Sequence, residues 1–387
     1  MTIRLKSVTS PGFSLVELMI ALLLGLVLIG VVIHLFLGTR MTYMSNDALA
    51  RVQENGRFAL AVLNQDVREA GLSGFCAGEL LVTNHLNSCG GIDTHLFHNP
   101  HAVFGYEFSG TGRFANFTIP ANLNPAASAA TLWTARIAGG ANVNLPAPLV
   151  GRVVPGSDVL LLRRPEIVPA VTASSVSAPD QPIPLSGNHG LRANEIALIT
   201  DCASGADLFQ NVAAAPDRLS KWSAAAACGA ALHPGNRQDW NWSTSYYPGM
   251  QLFRMRTHAY FVGFDPDRQE PGLFRMDLST STGSPPAPEE LVGGVESMQV
   301  VYGMSRPHPD GDGQSVDLWL TASDVSDWGL VIAVRVALMV RSPENADATR
   351  VTRTFELSQT NVTSQQDGRL RQPFSTTIAL RNRQIVW

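Results

Sequence analysis

The densest set of possible ligands is Asp310-Gly311-Asp312-Gly313-Gln314-Ser315-Val316-Asp317. Asp310, Asp312 and Asp317 put hard oxygen donors on a glycine-rich turn, which suits calcium. The full twelve-residue calcium loop with a terminal glutamate is not there, and a solvated Asp-Gly turn is the plainer reading. His95, His98 and His101 recur every three residues, with His85 and Asp93 nearby. Imidazoles at such spacing can bind zinc or copper. Pro100 breaks a helix there, however, so surface histidines are expected. Trp240, Trp242, Tyr246 and Tyr247 form buried packing or, if exposed, a hot spot for a partner or glycan. The chain contains no nucleophile elbow, phosphate loop, dinucleotide fingerprint or His-Glu-x-x-His. It therefore reads as a non-enzyme without a cofactor, calcium excepted.

Glu17 is the most unusual ionisable residue. It interrupts the run FSLVELMIALLLGLVLIGVVIHLFL, Phe13 to Leu37, in which Ser14 and His34 are the other polar side chains. As a helix this run is about 37 Å long, enough for a hydrocarbon core of ~30 Å. A carboxylate at mid-membrane costs about 2.5–3.5 kcal/mol, and less near the interface. The run is too long for a secretory signal, and no Ala-x-Ala site follows it. Arg4 and Lys6 precede it, so the N-terminus is expected in the cytoplasm, with Arg40 as a weak counter-signal. Gly12 separates this basic leader from the run. Cleavage after Gly12 would free an amine on Phe13, to which Glu17 could pair within the chain or across to a neighbour. It would also take Arg4 and Lys6 away, moving the formal net charge from −4 to −6.

These residues must be carried by a chain of 387 residues, 45% hydrophobic and 16% charged. The charged share is low against ~25% for soluble domains, and disorder would require the opposite balance. A net charge of −4 with no basic run argues against nucleic-acid binding. The 33 glycines and 24 prolines are aperiodic, which excludes collagen and favours a turn-rich β body.

One helix is expected from about Phe13 to about Ala70. Beyond Gly38 its apolar positions are Met41, Met44, Ala48, Val52, Ala59, Leu63, Val67 and Ala70. Arg51, Glu54, Arg57, Gln65, Asp66 and Arg68 fill the other faces, and Gly71 and Gly74 are stop signals. Gly25, Gly30 and Gly56 read as packing or bending points. Strands are expected at Asp158–Arg163, Glu195–Thr200, Leu252–Phe264 and Leu273–Asp277, then from Leu291, over Leu330–Val340, Val351–Leu357 and Phe374–Arg383. Residues 165–184 read as an extended proline-rich connector and 279–288 as a second linker. The expected fold is α+β: a long N-terminal helix packed on an antiparallel sheet, with a large β-rich, loop-rich insertion. The divisions are 1–12, 13–37, 38–71, 72–290 and 291–387.

Four cysteines in an exported chain suggest disulfides. Three pairings are possible for Cys76, Cys89, Cys202 and Cys228. Local pairing, Cys76–Cys89 and Cys202–Cys228, is the expected one, worth about 3 and about 3.5 kcal/mol on loop entropy. Buried thiols or a four-thiolate zinc site are the alternatives, the latter weakened because no pair is separated by only two residues.

Gly12-Phe13-Ser14-Leu15-Val16-Glu17-Leu18 resembles the cleavage signal of type IV pilins and type II secretion pseudopilins. The stretch from Gln53-Glu54-Asn55-Gly56-Arg57-Phe58 to Gly74-Phe75-Cys76, with the C-terminal strands, resembles the PilW family of minor pilins. The resemblance implies that residues 1–12 are a leader removed by a prepilin peptidase, with N-methylation of Phe13. It implies that Glu17 pairs with the amine of an adjacent subunit during polymerisation. It further implies a priming role in pilus assembly and a chain held in the bacterial inner membrane before moving to the pilus. The implied partners are other minor pilins, the major pilin and the inner-membrane assembly platform. A J-type minor pseudopilin of type II secretion is the alternative, since it shares the leader and helix.

Overall fold

The computed structural model describes residues 12, 14–71, 82–87, 101–125, 128–137, 139–169, 181–213, 215–222, 234–237, 241–247, 249–279, 287–305, 315–346 and 350–381. Helix α1 spans Leu15–Glu69, 55 residues without a break. It begins one residue after Ser14, whose backbone is extended. It ends where Ala70 turns extended and Gly71 takes φ +119°, a conformation glycine adopts without strain. Arg163 O accepts the Gly71 N–H at 2.9 Å and ties that end to the body.

Nineteen strands follow among the described residues. They are β1 (Val82–Asn84), β2 (Val103–Phe108), β3 (Asn116–Thr118), β4 (Trp133–Arg136), β5 (Asn142–Asn144) and β6 (Val159–Val168). Next come β7 (Ile183–Pro184), β8 (Ile196–Thr200), β9 (Ala206–Gln210), β10 (Arg218–Leu219), β11 (Gln251–Asp265) and β12 (Glu270–Asp277). The C-terminal set is β13 (Glu289–Gly293), β14 (Val295–Met304), β15 (Leu318–Leu320), β16 (Val331–Asn345), β17 (Thr354–Leu357), β18 (Thr360–Thr363) and β19 (Arg369–Ala379).

A ten-stranded sheet runs β1-β9-β8-β11-β6-β2-β4-β5, with β12 and β13 branching from β11. A four-stranded antiparallel sheet runs β15-β14-β16-β19. Strands β17, β18 and β3 form a third sheet, its β18–β3 pairing parallel. The second half of α1 lies across β19 and β16, so the expected helix-on-sheet arrangement with a large β-rich remainder is present. The apolar run expected as a central strand is β16, paired on both edges. Its one interruption, Arg335, stacks on the Trp319 ring at 4.1 Å and donates to Thr377 Oγ1 at 3.0 Å.

Two expectations need correction. Residues 165–168 are not a connector: β6 continues through Pro165, which stands opposite Met255 of β11. The other neighbour, β2, pairs β6 over 159–162 only, so the missing proline N–H faces no partner strand. Met41 and Met44 do not pack on the body but are exposed, because the globular part begins to cover the helix at Ala48.

Candidate functional site

The first half of α1 lies free of the body. Its most apolar window has mean hydropathy 3.0 and none of it is buried, the one helix among the described residues long and apolar enough to cross a membrane. Glu17 is exposed in its first turn, where the helix dipole favours a carboxylate. Leu18 N–H closes the first turn on Ser14 O at 3.1 Å. Gly12 is exposed; Phe13 lies outside the described residues.

The second half is held by packing and by one carboxylate. Ala48, Val52, Gly56, Ala59, Leu63, Asp66 and Val67 are buried at spacings of three and four, as a helical stripe requires. At Gly56 the Phe374 ring of β19 stands where a Cβ would go, 2.4 Å from it. Asn55 Nδ2 donates to Gly293 O at 3.1 Å. Asp66 accepts the Tyr260 hydroxyl of β11 and pairs with Arg164 at 3.3 Å and Arg275 at 3.8 Å. Burial, then the Asp66 carboxylate, pushes the Tyr260 hydroxyl well up, so it remains a donor. Arg164 also reaches Glu69 at 2.5 Å. Asp66, assigned by charge to the solvent side, is in fact three residues from Leu63 and on the buried stripe.

A second ionic cluster locks the C-terminal sheet. Glu296 of β14 accepts Arg371 of β19 at 2.7 and 3.0 Å and Arg341 of β16 at 3.3 Å. Asp367 accepts both Arg371 terminal nitrogens at 2.7 Å. Burial opposes ionisation of Asp367, but the Arg371 bonds prevail and hold its carboxyl down at about 2.

The outer part of the ten-stranded sheet carries a buried polar group. Asp207 accepts from His85 Nε2, the Tyr246 hydroxyl and Ser243 Oγ, the last at 2.8 Å. His85 Nδ1 lies 3.0 Å from Lys221 Nζ, which donates to Asn241 O at 2.6 Å and sits over the Trp242 ring at 4.9 Å. Burial would raise the Asp207 carboxyl, yet the bonds from His85, Tyr246 and Ser243 bring it down. Serine, histidine and aspartate meet here, but the aspartate is the hub. The serine proton points at Asp207 rather than at the imidazole, unlike a nucleophilic triad. Lys221, His85 and Asp207 are at most 2% exposed.

His85 is thus not a surface histidine, as its region was expected to supply, and both its ring nitrogens are engaged. His101 is half-buried, held down at about 4 by burial and by Arg163. Trp242 and Tyr246 are buried as packing, while Tyr247 is exposed. Cys202 is disulfide-bonded, its partner outside the described residues. Asp317 donates its N–H to Met304 O at 2.9 Å just before β15. Asp310, Asp312, Cys76, Cys89, Cys228, Asp93, His95, His98 and Trp240 lie outside the described residues. No group of three or more metal-binding side chains occurs among the described residues.

Apart from Arg164 of β6, the body's side of the helix clamp and the whole ionic lock belong to one C-terminal block, β11 to β19, and it is this block that can be compared with known proteins. Residues 259–382 match the family model of Type IV Pilus-assembly protein W. The match covers about a third of the chain, so the likeness to a type IV pilus assembly protein is a property of this C-terminal part. It begins within β11 and takes in Tyr260, Arg275, Phe374, Glu296 and Arg371, so the matched region includes the partner of Gly56 and two of the three partners of Asp66, Arg164 of β6 lying outside it. No curated protein and no solved structure matches the chain.

Proposed function

We propose that the chain is a minor pilin that enters type IV pili through α1 after cleavage between Gly12 and Phe13. The observation that carries this is the division of α1: an apolar half exposed along its whole length, continuous with a half fixed to the PilW-matched sheet. An apolar rod of this kind is stable in a bilayer and, equally, against other apolar rods, so leaving the membrane for a filament exchanges one apolar contact for another. Glu17 provides direction. A carboxylate leaving water for apolar surroundings needs a cationic partner, and a new amine on Phe13 of an adjacent subunit is one of suitable charge. The buried Asp66 clamp keeps rod and body moving together.

The reading includes inner-membrane storage with the body outside, N-methylation of Phe13, and assembly with other minor pilins, the major pilin and the assembly platform. The pairings Cys76–Cys89 and Cys202–Cys228 and a calcium ion at Asp310, Asp312 and Asp317 belong to the same proposal. The test is Glu17→Ala in the native host. The expected result is a processed chain that stays in the membrane fraction and fails to enter sheared pili. Normal incorporation would overturn the role of Glu17. Deletion scored for both appendages separates loss of piliation from loss of type II secretion, the outcome a pseudopilin would give.

A further inference from the structure

Neither the helix clamp nor the assembly mechanism uses a pair of buried acids at the join of the two larger sheets. Asp158, immediately before β6, is 2% exposed, and Glu107 in β2 is 5% exposed. Asp158 Oδ1 accepts the Phe108 N–H at 3.1 Å, and Oδ2 accepts the Val300 N–H of β14 at 2.8 Å. Its own N–H donates to Met298 O at 2.8 Å. Ser157 Oγ accepts the Met298 N–H at 3.2 Å, and Gln299 Nε2 donates to Gly156 O at 2.7 Å. Side chains thus complete the ladder where the edge of the four-stranded sheet meets the ten-stranded one.

Thr111 Oγ1 donates to Phe108 O at 2.8 Å and lies 3.4 Å from Glu107 Oε1 and 3.5 Å from Asp158 Oδ1, so both carboxyl groups flank one hydroxyl. Glu107 Oε2 and the Tyr302 hydroxyl are buried with no hydrogen-bond partner. The Tyr302 hydroxyl fills the space a Cβ would occupy at Gly105, 1.8 Å away, so a glycine in β2 admits it to the join. The groups that face Glu107 are Asp158, Asp324, the Tyr302 hydroxyl, Thr111 and the Ala322 N–H. Those facing Asp158 are Glu107, the Tyr302 hydroxyl, Thr111 and the Val300 and Phe108 amides.

Two ionised carboxylates in a dry pocket, with a third acid close by, repel each other and lose their hydration. We propose that Glu107 and Asp158 stay protonated in the closed join and so latch the ten-stranded sheet to the PilW-matched sheet, making this join a pH-responsive seam. Burial and the field of Asp158 raise Glu107 well above the usual carboxylate range, and burial holds Asp158 up at about 7. An opened seam would release the protons in the ordinary carboxylate range. The closed form therefore binds more protons than the open one, so the seam is tightest in acid and loosens as pH rises through about 7.

Hydrogen exchange on the full chain in detergent, corrected for intrinsic rates, tests this at the Phe108, Met298 and Val300 amides. Opening should become easier by up to about tenfold per pH unit for each proton held. Glu107→Gln, which keeps the shape but cannot ionise, should flatten that dependence. An unchanged slope in E107Q overturns the proposal. Should that variant not fold, infrared spectroscopy of the wild-type chain decides. A protonated-carboxyl band near neutral pH that fades in mild alkali supports the latch, and no such band overturns it. Calcium restoring protection in alkali would overturn it too, by showing a cation where the proton is placed.

Discussion

Gly56 is the point where the helix and the PilW-matched sheet touch most closely, and an added methyl group there gives a sharp test. A Cβ at position 56 would stand 2.4–2.5 Å from three atoms of the Phe374 ring. Alanine in a helix interior is favoured over glycine by about 1 kcal/mol. Overpacking of this kind costs about 1–3 kcal/mol, and Phe374 is only half-buried, so its ring can yield partway. Gly56→Ala should thus be destabilising by about 1 kcal/mol net, a fall in Tm of a few degrees. In a Phe374→Ala background the obstruction is gone and only the helix preference remains. There, Gly56→Ala should stabilise by about 1 kcal/mol, a coupling of about 2 kcal/mol between the two positions. Unfolding of the full chain in detergent, followed by tryptophan fluorescence for the four chains of the cycle, reads this directly. An effect of Gly56→Ala of the same size and sign in both backgrounds would refute the contact and, with it, the docking of α1 on β19.

Further outcomes follow from the ionic contacts. Asp66→Ala leaves Tyr260, Arg164 and Arg275 without their shared acceptor and should cost about 3 kcal/mol in urea unfolding, with Tyr260→Phe costing about 1 kcal/mol. Glu296→Ala removes the acceptor of Arg341 and one of the two carboxylates on Arg371, Asp367 keeping the other, and should cost about 1.5–3 kcal/mol by the same measurement. The Asp367 carboxyl is held down at about 2, so its share of stability is full above the ordinary carboxylate range and is lost as pH falls through about 2. Acid unfolding should show that limb, and Asp367→Asn should remove it.

The elements legible in the sequence are those with a strong period or a long apolar run. Helix α1 was expected from Phe13 to Ala70 and runs Leu15–Glu69, since a long apolar run, then helical periodicity, then Gly71 mark it without tertiary help. Strand β16 was legible because its run Val331–Val340 is buried on both faces and apolar except at Arg335. The polar contacts were not. Glu107 and Asp158 lie 51 positions apart, His85 and Asp207 further still, and a single sequence carries no signal that they meet. Asp66 did carry one: its place on the Ala59–Leu63 stripe outranks its charge. Pro165 misled because a proline on an unpaired strand edge breaks nothing.

The central claim is that the chain becomes an assembly subunit by cleavage at the mouth of its apolar helix. Intact-mass and N-terminal peptide spectrometry of the protein from its native host tests it most directly. A chain beginning at Phe13 with a methylated amine is the expected result. A chain that retains Met1 through Gly12, yet is recovered from sheared pili, would contradict it.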